Sequence, residues 1–141
     1  MTDFPFTIVR ESIFKFHDLD LDQVGGVYVV YNVVTDCRYV GCAMGIGSRF
    51  RDHYRMLLKA GNRHDLTTAA YHMTCDRNWV GEGVAPFRFA VLEVCDREQQ
   101  FAAELRWIHK LQANYNVKQN SGGENYYPIP KRLNSPRQIA V

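Results

Sequence analysis

The stretch Gly25 to His53, GGVYVVYNVVTDCRYVGCAMGIGSRFRDH, narrows the choice of fold more than any other part of the chain. VYVVYN is β-branched and aromatic with no strong helix former, so it reads as a strand. NVVTD supplies a turn, and CRYVG returns as a second strand ended by Gly41. After the loop CAMGIG, Ser48 stands where an N-cap would open a helix over SRFRDHYRMLLKA, with Gly61 as its C-terminal glycine. At about 100° per residue, Phe50, Tyr54, Leu57 and Leu58 share an arc that should face a core. Arg51, Arg55 and Lys59 fall on the far side, while Arg49 and His53, four apart, sit together on the flank of the apolar arc.

Downstream, DLTTAAYHMTCDRN reads as a second helix over about Asp65 to Asn78, and FRFAVLEVC reads as a third strand. Alternation puts Phe87, Phe89, Val91 and Glu93 on one face of that strand. DREQQFAAELRWIHKLQ is then a helix with Asp96 as its N-cap. The first 24 residues hold a short strand near Ser12 to Phe16, and the Gly- and Pro-punctuated end, SGGENYYPIPKRLNSPRQIAV, has no periodicity. The expected fold is α+β: a small three-stranded antiparallel sheet flanked by helices, in the order β-β-α-α-β-α.

At 141 residues the chain has room for about one domain. No run approaches the roughly 18 apolar residues of a membrane span, and MTDFPFTIVRES lacks the basic and apolar regions of a secretory signal. A cytoplasmic protein with reduced thiols is therefore expected, without a membrane partner. Cys37, Cys42, Cys75 and Cys95 form no close pair, so they read as buried apolar side chains rather than bridges. A zinc site built on His72 and Cys75, with Cys37 and Cys42 as remote ligands, is the weaker alternative. Net charge is only +2, so a nucleic-acid reading has to rest on local clustering. Arg49, Arg51, Arg55, Lys59, Arg63 and His64 supply one such cluster, with Asp52 inside it and Asp65 directly after it.

One residue of the last helix is out of place. Phe101, Leu105, Ile108 and Leu111 define an apolar arc, and Glu104 falls between Ile108 and Leu111 on the same wheel. A carboxylate in an apolar stripe is costly unless a partner holds it. A core-edge arginine and a hard cation bound by oxygen both satisfy that need.

Gly26-Val27-Tyr28 and Tyr39-Val40-Gly41, with ten residues between the two tyrosines, are followed in order by Arg49, His53, Glu104 and Tyr115-Asn116. This ordered set resembles the GIY-YIG nuclease superfamily over about Gly25 to Val117. Residues 1–24 are then an N-terminal extension packing on the core, and 118–141 a C-terminal tail. The twelve positions from Glu104 to Asn116 are similar to the family's glutamate-to-asparagine spacing, and the Arg-x-x-x-His pair looks like that of its restriction-enzyme members. Many relatives carry a lysine directly after the second motif. Here Cys42 stands there, so no lysine is on hand to assist a base tyrosine.

The resemblance implies a metal-dependent DNA endonuclease of homing, restriction or phage type, acting in the cytoplasm of a bacterial or phage-infected cell. It would cut double-stranded DNA and leave a 5′-phosphate and a 3′-hydroxyl. Implied catalytic residues are Tyr28, Tyr39, Arg49, His53, Glu104 and Asn116, with Glu104 holding Mg²⁺ or Mn²⁺. Arg49 would fork onto phosphate, and either Tyr28 or His53 would take the proton of the attacking water. Gly41, Arg51, Arg55, Lys59 and Arg63 are the candidate DNA-binding positions. The alternatives are a repair or branched-DNA nuclease and a catalytically idle DNA-binding or interaction module of the same fold.

Overall fold

The computed structural model describes residues 4–12, 18–59, 87–118 and 124–125. The helix expected over Asp65 to Asn78, the zinc candidates His72 and Cys75, Arg63, and the end of the first helix at Gly61 lie outside them. In chain order the described elements are β1 (Arg10–Ser12), a 3-10 turn (Asp18–Gln23), β2 (Gly26–Asn32), β3 (Arg38–Ala43), α1 (Ile46–Lys59), β4 (Phe87–Val94), α2 (Arg97–Leu111), β5 (Val117–Lys118) and β6 (Glu124–Asn125). The main sheet runs β1-β4-β2-β3, and β5 pairs with β6 as a separate two-stranded ribbon. All strand pairs are antiparallel.

β2 is the central strand, and every one of its residues is buried. Its alternation divides the interior in two. Tyr28 and Val30 face Leu21, Ile46, Phe50, Phe89 and Tyr115, so α1 covers that side. Val27, Val29 and Tyr31 face Val40, Ala90, Ala103, Ile108 and Leu111, so α2 covers the other. Each fully buried valine or leucine contributes roughly 1.5–3 kcal/mol, which explains a strand apolar on both faces. The β2–β3 turn is held by Asn32, whose Oδ1 accepts from the amides of Val34 and Thr35 at 2.9 and 3.1 Å.

The sheet has four strands, one more than the sequence predicts. β1 pairs with β4 in the register Arg10↔Val91 to Ser12↔Phe89, two residues earlier than the strand expected near Ser12 to Phe16. Without it, β4 would present an unpaired edge beside an apolar face. A shift of register between Val27 and Tyr28 bulges β4, so Val27 pairs with Glu93 and Tyr28 with Val91. The bulge reverses the alternation, and Glu93 therefore lies on the α2 side, not with Phe89 and Val91. There it accepts from Trp107 Nε1 at 2.8 Å.

α1 starts at Ile46, two residues before the expected Ser48 cap. Its first turn lies against Asp22: a Cβ on Gly47 would fall 2.3 Å from Asp22 Oδ1. Arg51 Nη2 donates to Asp22 Oδ2 at 3.0 Å and Nη1 lies 2.9 Å from Oδ1, pinning the 3-10 turn to the helix. α2 opens as expected on Asp96, whose side chain accepts from the Gln99 amide. Its buried positions are Gln100, Ala103, Ile108 and Leu111, and Phe101 is exposed. The inward face is centred nearer Leu111 than the expected arc, which leaves Phe101 on a flank.

α2 ends in a left-handed Gln112, after which residues 114–116 run along the free edge of β3. Arg38 N donates to Asn114 Oδ1 at 3.0 Å, and Tyr115 N donates to Arg38 O at 2.9 Å. Asn116 grips Val40 twice, accepting from its amide and donating to its carbonyl, each at 2.7 Å. Replacing Asn116 with Ala strands both backbone groups of Val40. The expected cost is about 2–4 kcal/mol, read as a lower urea midpoint with an unchanged slope.

Candidate active site

Tyr28 and Gly41 are cross-strand partners. The Tyr28 ring lies directly over Gly41, where a Cβ would come within 2.5 Å of the phenol oxygen and 2.6 Å of Cζ. Only glycine leaves that space. The phenol ends at α1, with its oxygen 3.0 Å from His53 Nε2 in a hydrogen bond. Phe50 meets the ring edge to face at 5.4 Å between centroids. Tyr39, two residues before Gly41 on β3, has its ring 6.3 Å from that of Tyr28 and 5.3 Å from that of His53.

Arg49 is exposed one turn before His53 on the same helix. Glu104 comes from the opposite side of the sheet. On β3 the odd positions bond to β2, so the amide of Cys42 points outward, past the strip formed by residues 114–116. Glu104 accepts hydrogen bonds from both the thiol and the backbone N–H of Cys42. The site thus wraps around the edge of β3, with two phenols and an imidazole above it, a carboxylate below it and Arg49 at the rim.

Burial governs its protonation. It pushes the Tyr28 phenol well above its usual range, an effect strengthened by Tyr39 and opposed by the Arg49 cation. Tyr39 is raised by burial and then by the charge of Glu104. Glu104 itself is raised by burial, against the two hydrogen bonds from Cys42. The Cys42 thiol is pushed up to about 11 by burial and the neighbouring carboxylate. His53 is lowered to about 4, first by burial and then by Arg49. With a value of about 4, the imidazole of His53 is neutral at pH 7 in this site.

The structure brings Tyr28, Tyr39, Arg49, His53 and Glu104 to one edge, and Asn116 anchors that edge from behind. Of the wider basic set, the described side chains are engaged elsewhere. Arg51 is committed to Asp22, and Arg55 pairs with Asp52 at 3.2 Å. Lys59 ends the described part of α1, and Arg63 lies beyond it. Gly41 has a sufficient reason in the Tyr28 ring. Sequence reasoning missed Cys42 as the partner of Glu104 and Asp22 as the partner of Arg51. For Cys42 the signal was its position, one residue past Gly41 on a strand edge.

The profile of the GIY-YIG catalytic domain matches residues 24–116. The chain belongs to the GIY-YIG family. Its fold is similar to that of the catalytic domain of the homing endonuclease I-TevI, at 22% identity and a TM-score of 0.51, covering 76% of this chain and 99% of that one. A glutamate-to-alanine variant of the same catalytic domain of this intron endonuclease matches at the same identity and TM-score, covering 66% and 89%. No curated protein matches the chain. Membership of the GIY-YIG family supports a nuclease, and the α+β fold expected from sequence is the one observed.

The lowered His53 has a measurable consequence. Its folded-state value of about 4 lies below the usual 6.5, so the unfolded chain binds a proton that the folded one refuses between those values. Stability should be fully present above pH 6.5 and fall as pH drops toward 4, by up to about 1.4 kcal/mol per pH unit. Denaturant midpoints at pH 4.5 and 7.5 should differ less for His53→Phe than for the parent.

Proposed function

We propose that the protein is a divalent-metal-dependent DNA endonuclease that hydrolyses phosphodiester bonds in double-stranded DNA, leaving a 5′-phosphate and a 3′-hydroxyl. The observation that carries this reading is the 3.0 Å bond between the Tyr28 phenol and His53 Nε2, held between the Arg49 rim and the Glu104 carboxylate.

Hydrolysis requires a water that loses a proton, compensation of charge on the phosphoryl oxygens, and help for the leaving 3′ oxygen. Arg49 suits the second need, because an exposed guanidinium can fork onto two phosphate oxygens. Tyr28 suits the first. A phenol pushed upward by burial holds its proton in the free protein and cannot act as a standing phenolate. It can, however, pass that proton to Nε2 while taking one from water, because the imidazole beside it is unprotonated at neutral pH. An incoming phosphate raises the proton affinity of His53 by adding negative charge next to it. Tyr28 is then the direct base and His53 the proton store. Tyr39 orients the phenol through the hydrogen bond they share, and Asn116 keeps Tyr39 and Gly41 in place by holding Val40 between them.

Glu104 fits a hard cation. Among the described residues no three His, Cys, Asp or Glu side chains stand together, so this set offers one carboxylate rather than a cage. That is the arrangement Mg²⁺ or Mn²⁺ favours, with water and phosphate completing the shell. Bound there, the ion supplies charge stabilisation for the leaving oxygen. The two hydrogen bonds from Cys42 orient the carboxylate.

Supercoiled plasmid should be nicked or linearised with Mg²⁺ or Mn²⁺, and left intact with EDTA or by Glu104→Ala. Failure of fresh parent protein to cut supercoiled, branched or single-stranded DNA with either ion would overturn the reading. Tyr28→Phe keeps the ring but removes the relay, and should lower the cleavage rate about 10²–10⁴-fold with DNA affinity retained. Gly41→Ala forces the Tyr28 ring aside. It should cost about 1–3 kcal/mol of stability and lower the rate as well, measured by thermal unfolding and single-turnover cleavage.

A further inference from the structure

Three large apolar side chains stand exposed at one end of the sheet: Met44 at 54%, Val94 at 60% and Phe101 at 69%. The register brings Met44 and Val94 to the same end, since Gly26 pairs with Ala43 on one side and with Val94 on the other, and Phe101 lies in the early turns of α2. Gln100 ties the corner together, with its Nε2 donating to Met44 Sδ at 3.2 Å and to the Cys95 carbonyl at 3.5 Å. Phe101 follows Gln100 and turns away from the sheet. It sits three residues before Glu104, roughly 60° around the helix and one turn earlier. A lone exposed apolar residue is ordinary. Here Phe101 shares a helix flank with Glu104, and Met44 is tied to the neighbouring Gln100.

We infer that Phe101, with Met44 beside it, is a substrate-contacting residue that packs against the base and deoxyribose of the nucleotide next to the scissile phosphate of DNA. The inference rests on the nuclease reading above and names what that site touches besides phosphate. Continuity with the site selects DNA as the occupant. Successive nucleotides of one strand rise by about 3.4 Å and a helical turn by about 5.4 Å. A strand whose phosphate lies at Glu104 and that runs along α2 toward its N-terminus would carry its neighbouring nucleotide past Phe101. Every base has an apolar face that an aromatic ring can stack on, and apolar side chains also wedge between base steps from the minor groove. Arg49 reads charge at this site, whereas Phe101 reads the uncharged part of the same nucleotide pair.

The test is duplex binding by the full chain in EDTA over a series of salt concentrations, with cleavage in Mg²⁺ and sedimentation measured alongside. Phe101→Ala should weaken binding about 5- to 100-fold with the salt slope and the thermal midpoint unchanged, because no phosphate contact and no core packing is lost. Phe101→Tyr should restore most of the affinity. Arg49→Ala should instead lower the salt slope by about one. If the parent cleaves DNA while Phe101→Ala binds as tightly as the parent, this inference falls and the nuclease reading stands. If the parent neither binds nor cleaves, both fall. Should Phe101→Ala convert a parental dimer to monomer without altering DNA affinity, the surface belongs to a second copy of the chain and the inference is overturned.

Discussion

The free edge of β3 is closed by side chains where a fifth strand would otherwise lie. Antiparallel pairing turns every second residue of β3 outward, and an outward amide or carbonyl with no partner is both costly and open to pairing with another chain. Asn114 and Asn116, two apart, match that period and imitate a strand with their amide groups, while the Tyr115 backbone fills the gap between them. Glu104 takes the next outward amide in the row, that of Cys42. The row fixes how α2 sits on the sheet, and thereby sets a carboxylate at the place where the two tyrosines of β2 and β3 emerge on the other face.

Burial does the rest of the chemical tuning. The site combines phenols that hold their protons tightly with an imidazole that refuses one, a polarity set mainly by removal from water and, for His53, sharpened by the Arg49 cation. The Tyr28 phenol lies 3.0 Å from His53 Nε2, an acceptor whose proton affinity would rise beside added negative charge. On the proposed reading, substrate itself would complete the conditions for proton transfer and so couple chemistry to binding.

Much of this was legible in the sequence because it is local. The β2–β3 hairpin, the Asp96 cap and the misfit of Glu104 in an apolar stripe follow from composition and spacing over a few residues. The features that escaped are those decided at long range. Arg10-Glu11-Ser12 has little strand character, and it is a strand because β4 needs an edge partner. Nothing in FRFAVLEV marks the bulge that sends Glu93 to the opposite face. Arg51 reads as a free basic residue until Asp22, 29 positions away, is found beside it. The His53 value depends on rings contributed by three strands, since Tyr28, Tyr39 and Phe89 all pack on the imidazole.

The two arms of the β3 clasp lie 76 positions apart in the chain. A hairpin with its following helix forms early and locally, whereas docking of so distant a segment is a late event that must overcome loop-closure entropy. The hairpin and α1 carry the phenols, the imidazole and the arginine, but the carboxylate arrives only with α2. A growing or half-folded chain therefore holds an incomplete set of these groups, and the edge of β3 is fully furnished only when α2 docks.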